Sequence, residues 1–259
     1  MQLKDKIVVV TGAGGGIGKA LVAKFMALEA RAVVGVDINA ETVEQTAIEL
    51  GCVAMSADVA REEDVIRIIE DTENTIGPID LFCSNAGVAA GADEQSVNAE
   101  WQLSWDVNVM SHVYAARHLV PRMIQRGGGY FLNTASAAGL LNQIGGAAYG
   151  TTKHAAVGFA EWLALTYAHQ GIKVSMLCPQ AVRTAMTADT EDQGTKAASG
   201  DGMMEPEQLA DIVVDHLERE AFLILTHEEV KVYMQRKSSD YDRWIGGMNR
   251  LFKKLSGSA

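Results

Sequence analysis

Positive charge, cysteine and long apolar runs are all scarce in this chain. Twenty-two Lys and Arg residues stand against 33 Asp and Glu, a formal charge of −11 with no basic run. That balance excludes a general affinity for nucleic acid or for an anionic membrane surface, because both are polyanions. Only Cys52, Cys83 and Cys178 carry thiols. Each sits in an apolar, strand-like segment and no metal-ligand spacing joins them, so no bound metal is expected, and reduced core thiols of a cytoplasmic protein are. No stretch approaches the roughly 18 apolar residues of a membrane span. The opening "MQLKDKIVVVTGAGG" holds too short an apolar run for a signal peptide. Neither an internal repeat nor a Pro/Gly/Ser linker divides the chain, so one domain over 1–259 is expected.

What is present is a regular alternation. Hydrophobic residues make up 48% of the 259, enough to bury a substantial core. Apolar, β-branched runs near 7–11, 32–36, 52–57, 80–85, 130–135, 173–178 and 222–226 read as strands. Helical patterns fill about 17–28, 41–50, 62–75, 100–126, 149–170 and 206–219. Such alternation predicts an α/β fold, a doubly wound parallel sheet of about seven strands with helices on both faces. Two segments fall outside it. Residues 185–205 are polar and glycine-containing with methionines at both ends, and predict a lid or loop. The extension 227–259 carries Tyr241, Trp244, Ile245, Met248, Leu251, Phe252 and Leu255 at helical spacing, an amphipathic helix for the body or a partner subunit.

"TGAGGGIG" (11–18) follows the first strand and opens the first helix. Gly12, Gly16 and Gly18 there allow a tight turn and close approach of a pyrophosphate to a helix N-terminus, with Ile17 in the same loop. Asp37 ends the second strand, 19 residues beyond Gly18. A carboxylate there accepts hydrogen bonds from both ribose hydroxyls of an adenosine and repels a 2′-phosphate. No Arg or Lys stands at 13–15 or 38, so the expected cofactor is NAD rather than NADP. A flexible turn and a loop-capping aspartate are the plainer alternatives, and a methyltransferase would offer the same two features. The discriminator lies downstream in "YGTTK" (149–153), which places a tyrosine and a lysine on one helix face.

With these motifs in order, the chain resembles the short-chain dehydrogenase/reductase family from Lys4 to about Thr226. "TGAGGGIG" matches the TGxxxGxG loop, and "ADV" (57–59) the acidic turn after strand three. "SNAG" (84–87) resembles NNAG, with Ser84 in place of the first asparagine. "PQAVRT" (179–184) resembles PGxVxT, with Gln180 in place of the glycine. The resemblance implies a Rossmann fold and a catalytic set of Asn108, Ser136, Tyr149 and Lys153. It also implies cofactor contacts from Asp58 and Val59 at the adenine, from Asn85 and Ala86, from Tyr149 and Lys153, and from Pro179, Val182 and Thr184 near the carboxamide. Tyr149 would be the proton-transfer residue. Its ordinary pKa near ~10 would be lowered by Lys153, with Ser136 bonding the oxyanion and Asn108 positioning a water beside Lys153.

The expected activity is NAD(H)-dependent interconversion of a secondary alcohol and a ketone. "AAGLLNQIGG" after Ser136, including Ala138, together with Met186, Met203 and Met204, suggests a hydrophobic substrate. Gln180 is expected to line its substrate end. Lid packing without substrate contact is the alternative. The partners expected are a small-molecule alcohol or ketone and further copies of the chain, as a homodimer or homotetramer; the helical extension weakens transfer of the family's tetramer. A non-catalytic NAD-binding sensor or scaffold of the same fold is the competing function, although it would have no need of all four catalytic residues. A nucleotide-sugar epimerase or dehydratase would need a larger C-terminal substrate domain, and about 30 residues are too few, given a usual minimum of ~50.

Overall fold

The computed structural model describes residues 1–188 and 192–257. Seven parallel strands form one sheet in the order β3-β2-β1-β4-β5-β6-β7. They are β1 (Ile7–Thr11), β2 (Ala32–Asp37), β3 (Val53–Ser56), β4 (Leu81–Ser84), β5 (Gly129–Thr134), β6 (Ile172–Cys178) and β7 (Leu223–Leu225). The helices are α1 (Gly16–Ala27), α2 (Ala40–Leu50), α3 (Glu62–Thr75), α4 (Asn98–Trp105), α5 (Ser111–Gln125), α6 (Ala138–Leu141), α7 (Ala147–Tyr167), α8 (Gln193–Ala198), α9 (Pro206–Glu218), α10 (Glu229–Ser239) and α11 (Tyr241–Leu255). A π-helical turn, Asp106–Met110, joins α4 to α5.

Strand parity builds two cores. Val8 and Val10 of β1 face one side with Leu81, Tyr130 and Leu132, against Leu21 and Phe25 of α1 and Leu209 and Val213 of α9. Val9 faces the other with Phe82 and Phe131, against Ile68 of α3, Leu119 of α5 and Leu163 of α7. Both faces are covered, which is why the strands read as unbroken apolar runs. Each such fully buried side chain contributes about 1.5–3 kcal/mol.

Local signals set the helix ends. The Asn39 side chain accepts from Thr42 N at 3.2 Å to start α2, and Gly51 ends it at φ 75. Pro206 opens α9 behind a capping box from Glu205 and Gln208, and Asp240 caps α11 at Arg243 N, 2.9 Å.

The expected single helix over 100–126 is interrupted at the π turn. Both ends of the Asn108 amide are occupied there: Oδ1 accepts from Val88 N at 3.0 Å, and Nδ2 donates to Val88 O at 2.9 Å and to Thr152 Oγ1 at 3.0 Å. The wider turn serves that inward side chain, and apolar periodicity does not register it. The C-terminal extension is two helices rather than one. The sequence pattern missed α10 because Val230 is its only buried residue. The 185–205 segment is partly helical, with single 3-10 turns at Ala185–Thr187 and Ser199–Asp201 flanking α8; its residues 189–191, like 258–259 of the extension, lie outside the described residues. Among the described residues no helix is long and apolar enough to cross a membrane.

Candidate active site

The chain winds outward from β1 through β2 to β3, then returns to place β4 on the other side of β1. That reversal opens a crevice at the carboxyl ends of β1 and β4, the usual ligand position in an open α/β sheet. Thr11 ties its two rims together. Its hydroxyl donates to Cys83 O at 3.2 Å and accepts from the backbone N–H of Asn85, 2.9 Å, and Ala86, 3.0 Å. Asn85 Nδ2 returns a bond to Thr11 O at 3.0 Å.

The glycine loop has the form of an anion cradle. A Cβ at Gly18 would overlap the Gly12 carbonyl, and Gly12 itself turns at φ +70. α1 begins with no side-chain cap and no acidic residue in its first turn, so its first N–H groups face the crevice without a competing carboxylate. The cavity beside the loop measures about 410 Å³. Its walls include Gly12, Gly16, Ile17, Gly18, Asn85, Ala86, Pro179, Val182, Thr184 and Met186 as well as Asp37, Ser136, Tyr149, Lys153 and Gln180. Asp37 Oδ2 accepts from Gly14 N at 2.9 Å and Oδ1 from Asn39 N at 3.0 Å, which fixes the carboxylate and leaves lone pairs for hydroxyls. Lys153 is the one cation in this wall among the described residues. The residues present therefore fit a dinucleotide.

Asp58 and Val59 lie outside this wall. Asp58 instead holds the turn between β3 and α3: its Oδ1 accepts from Ala60 N at 2.9 Å, and its own N–H donates to Asp64 Oδ2 at 2.9 Å. Asn108 is also set back, fully buried on Val88 and Thr152. Gly87, which the sequence reading did not single out, connects it to the wall. A Cβ there would stand 3.3 Å from both Asn108 Oδ1 and Lys153 Nζ. Glycine thus preserves a gap between the two, and the only signal for it was the end of "SNAG".

Ser136 closes β5. Its hydroxyl accepts from Ala138 N at 3.1 Å and donates to Pro179 O at 3.4 Å. Tyr149 and Lys153 project from the first two turns of α7, with Nζ 5.7 Å from the tyrosine ring centroid. Nζ donates to Thr134 O at 3.0 Å, and the residue is 3% exposed. Burial pulls the lysine down to about 8. Burial also pushes the Tyr149 phenol above its ordinary value, and the nearby Ser136 hydroxyl opposes that rise. The sequence reading expected a Lys153-favoured tyrosinate; in this arrangement burial outweighs the opposing influence. Behind Lys153, burial and then the lysine charge hold His112 down at about 3, hence neutral. Neither its ring nitrogens nor the neighbouring Asn133 amide makes a hydrogen bond of good geometry, and Ser84 Oγ has no partner. Ser84 sits opposite Asn133 in the β4–β5 register.

A second cavity of about 450 Å³ shares Ser136 and Gln180 with the first. Ala138, Leu141 and Ile144 form one wall and Trp244, Met248 and Leu251 of α11 another. Gln180 is anchored to the 185–205 segment, donating from Nε2 to Ala198 O at 2.9 Å and to Asp201 Oδ2 at 2.8 Å. Met203 and Met204 are in neither wall. Met204 bridges to Val182 and packs on the core beside α9. Tyr233 and Arg236 of α10 line the second cavity, and no sequence signal marked them.

Known proteins resemble this chain in sequence and fold. The short chain dehydrogenase family profile matches residues 6–195. Over 258 residues the chain is 30% identical to 1-deoxy-11-beta-hydroxypentalenate dehydrogenase of Streptomyces exfoliatus, covering 95% of this chain and 91% of that protein. It is 30% identical over 232 residues to cyclohexanol dehydrogenase of Acinetobacter sp. (strain SE19), covering 86% and 92%. A short chain dehydrogenase/reductase from Burkholderia phymatum, solved in complex with NAD, superposes with a TM-score of 0.87 at 25% identity, covering 93% of this chain and 96% of that one. The protein belongs to the short-chain dehydrogenase/reductase family.

Proposed function

We propose that this member of the family uses NAD(H) to interconvert a hydrophobic secondary alcohol and its ketone, with Tyr149 as general acid and base. The observation that carries the reading is the meeting of Ser136, Tyr149 and Lys153 in one cavity with the glycine loop and Asp37. When bound, the nicotinamide accepts or returns the hydride. Ser136 Oγ donates to the reacting oxygen of the substrate, and the Tyr149 hydroxyl takes up or supplies its proton. Lys153 adds positive charge that favours the tyrosinate during proton transfer, and its ammonium also holds ribose hydroxyls. Asn108, across the gap at Gly87, orients a water next to Lys153. Gly12, Gly16, Ile17 and Gly18 hold the pyrophosphate, with Asn85, Ala86, Pro179, Val182 and Thr184 along the remaining length. Asp58 and Val59 take part at the adenine end by supporting the turn rather than from the wall.

NAD is preferred because the fixed Asp37 carboxylate would repel a 2′-phosphate, and among the described residues the only cation in the wall is Lys153, which is held on Thr134 O. The apolar second cavity beside Ser136 receives the substrate body, with Ala138 and Gln180 in its wall and Met186 contacting the substrate from the adjoining first cavity. The whole chain acts as one domain, the 185–205 segment as its lid. A cytoplasmic location agrees with three free thiols. Exposed Trp162 and Leu165, 50% and 84% accessible on α7, support a homodimer or homotetramer. A monomer by light scattering would exclude that assembly. The mechanism is tested by Tyr149→Phe on an alcohol panel with reduced cofactor as readout. A loss of about 10²–10⁴ in kcat with unchanged NAD affinity is expected; full activity in the variant would refute the assignment.

A further inference from the structure

The second cavity has an apolar body and one polar corner. At that corner Asp201 is fully engaged: Oδ2 accepts from Gln180 Nε2 at 2.8 Å and Oδ1 from the Tyr233 hydroxyl at 2.9 Å. Arg236 lies one turn further along α10, its guanidinium 5.8 Å over the Tyr233 ring. Stacking there orients the planar group without using its in-plane N–H donors. Among the described residues Arg236 pairs with no carboxylate, whereas Arg117, Arg122, Arg126, Arg183 and Arg219 each do. Lys196 lines the same cavity.

A purely hydrophobic alcohol has no use for an oriented guanidinium at the margin of its chamber. A planar anion does, because a carboxylate meets the guanidinium fork through two parallel, charge-assisted hydrogen bonds. The reacting oxygen belongs at Ser136, at the junction of the two cavities, and the apolar residues between Ser136 and α10 accommodate carbon skeleton.

We propose that the substrate is an amphipathic hydroxy acid or keto acid, whose carboxylate is bound by Arg236 while its remote carbinol or carbonyl carbon reacts beside Ser136 and Tyr149. This rests on the oxidoreductase reading of the site. It assigns Arg236 as a specificity-determining residue that takes no part in hydride or proton transfer. It also gives α10 a role that its exposed, polar sequence does not advertise.

The test uses the full-length protein and a panel of alicyclic and aryl-substituted keto acids, each paired with its methyl ester. Binding is measured by calorimetry in the presence of NADH, and turnover by NADH consumption. For the acids that fit, the acid should exceed its ester by about 10- to 100-fold in affinity and in kcat/KM. Arg236→Gln should abolish that preference, bringing the acid's KM to that of its ester with little change in kcat. Arg236→Lys should restore part of it, since the charge returns without the planar fork. Equal binding of acid and ester by the native protein would overturn the proposal, as would a preference that survives Arg236→Gln. Absence of turnover for every pair, with acid-over-ester binding intact, would instead strike the oxidoreductase reading and leave Arg236 as an anion-binding residue.

Discussion

Replacing Lys153 by methionine should make the protein more stable at neutral pH while removing its activity. The lysine is 3% exposed, and burial lowers its pKa from an ordinary 10.5 to about 8. That gap corresponds to about 3 kcal/mol of burial cost carried by the charged form. The sign follows from proton binding. Between about 8 and 10.5 the unfolded chain holds the proton and the folded chain does not, so stability rises with pH across that window. Below about 8 both states are protonated and the full cost is present. Methionine keeps the length of the side chain and removes the charge. It also loses the bond from Nζ to Thr134 O at 3.0 Å, which returns about 1–2 kcal/mol. The net expectation is a gain of about 1–2 kcal/mol near pH ~7, shrinking to nothing or reversing near pH ~10. Urea unfolding of both proteins at the two pH values measures it, with an unchanged m-value as the check that the same transition is being followed. A Lys153→Met protein less stable than the parent near neutrality would refute the argument. It would show that the ammonium is better solvated in the folded chain than its burial implies.

Two further outcomes are expected. Asp37→Ala should weaken NADH binding by about tenfold and narrow the preference over NADPH by about 10- to 100-fold, read by fluorescence titration of both cofactors; a preference left intact would mean that Asp37 serves only the Gly14 and Asn39 N–H groups. Ser84→Ala should leave stability unchanged or raise it by up to about 1 kcal/mol, since its buried hydroxyl has no partner. A loss beyond that in thermal unfolding would identify a buried water bonded to Ser84, Asn133 and His112.

The sheet was legible because both of its faces are covered: strands such as "IVVVT" are buried along their whole length, leaving little room for another reading. The placing of Tyr149 and Lys153 on one face of α7, and the form of the glycine loop, were legible because each depends on spacing within one short segment. Three features were not. The π turn at Asn108 arises from a tertiary demand, two backbone bonds to Val88, that helical periodicity does not encode. α10 was missed because only Val230 buries itself, so it lacks the apolar stripe that marks a surface helix. The direction taken by Gln180 was also hidden. Its place in the cavity wall beside Pro179 was legible, but the amide is committed to Ala198 and Asp201, partners set by how the 185–205 segment folds back. Met203 and Met204 looked like pocket residues for their chemistry alone; neither lines the two cavities, and a bridge to Val182 holds Met204 elsewhere.

The two C-terminal helices have a consequence for how this enzyme can change. They contribute a wall of the second cavity, yet they add no strand and no ladder bond to the sheet. Substitutions at Tyr233, Arg236, Trp244, Met248 or Leu251 therefore reshape the chamber without disturbing the hydrogen-bonded core or the loop that holds a dinucleotide. Selection can act on the last 30 or so residues almost independently of the stability constraints on the first two hundred. In such a chain, the shape of the second cavity can vary with helices that contribute nothing to the sheet.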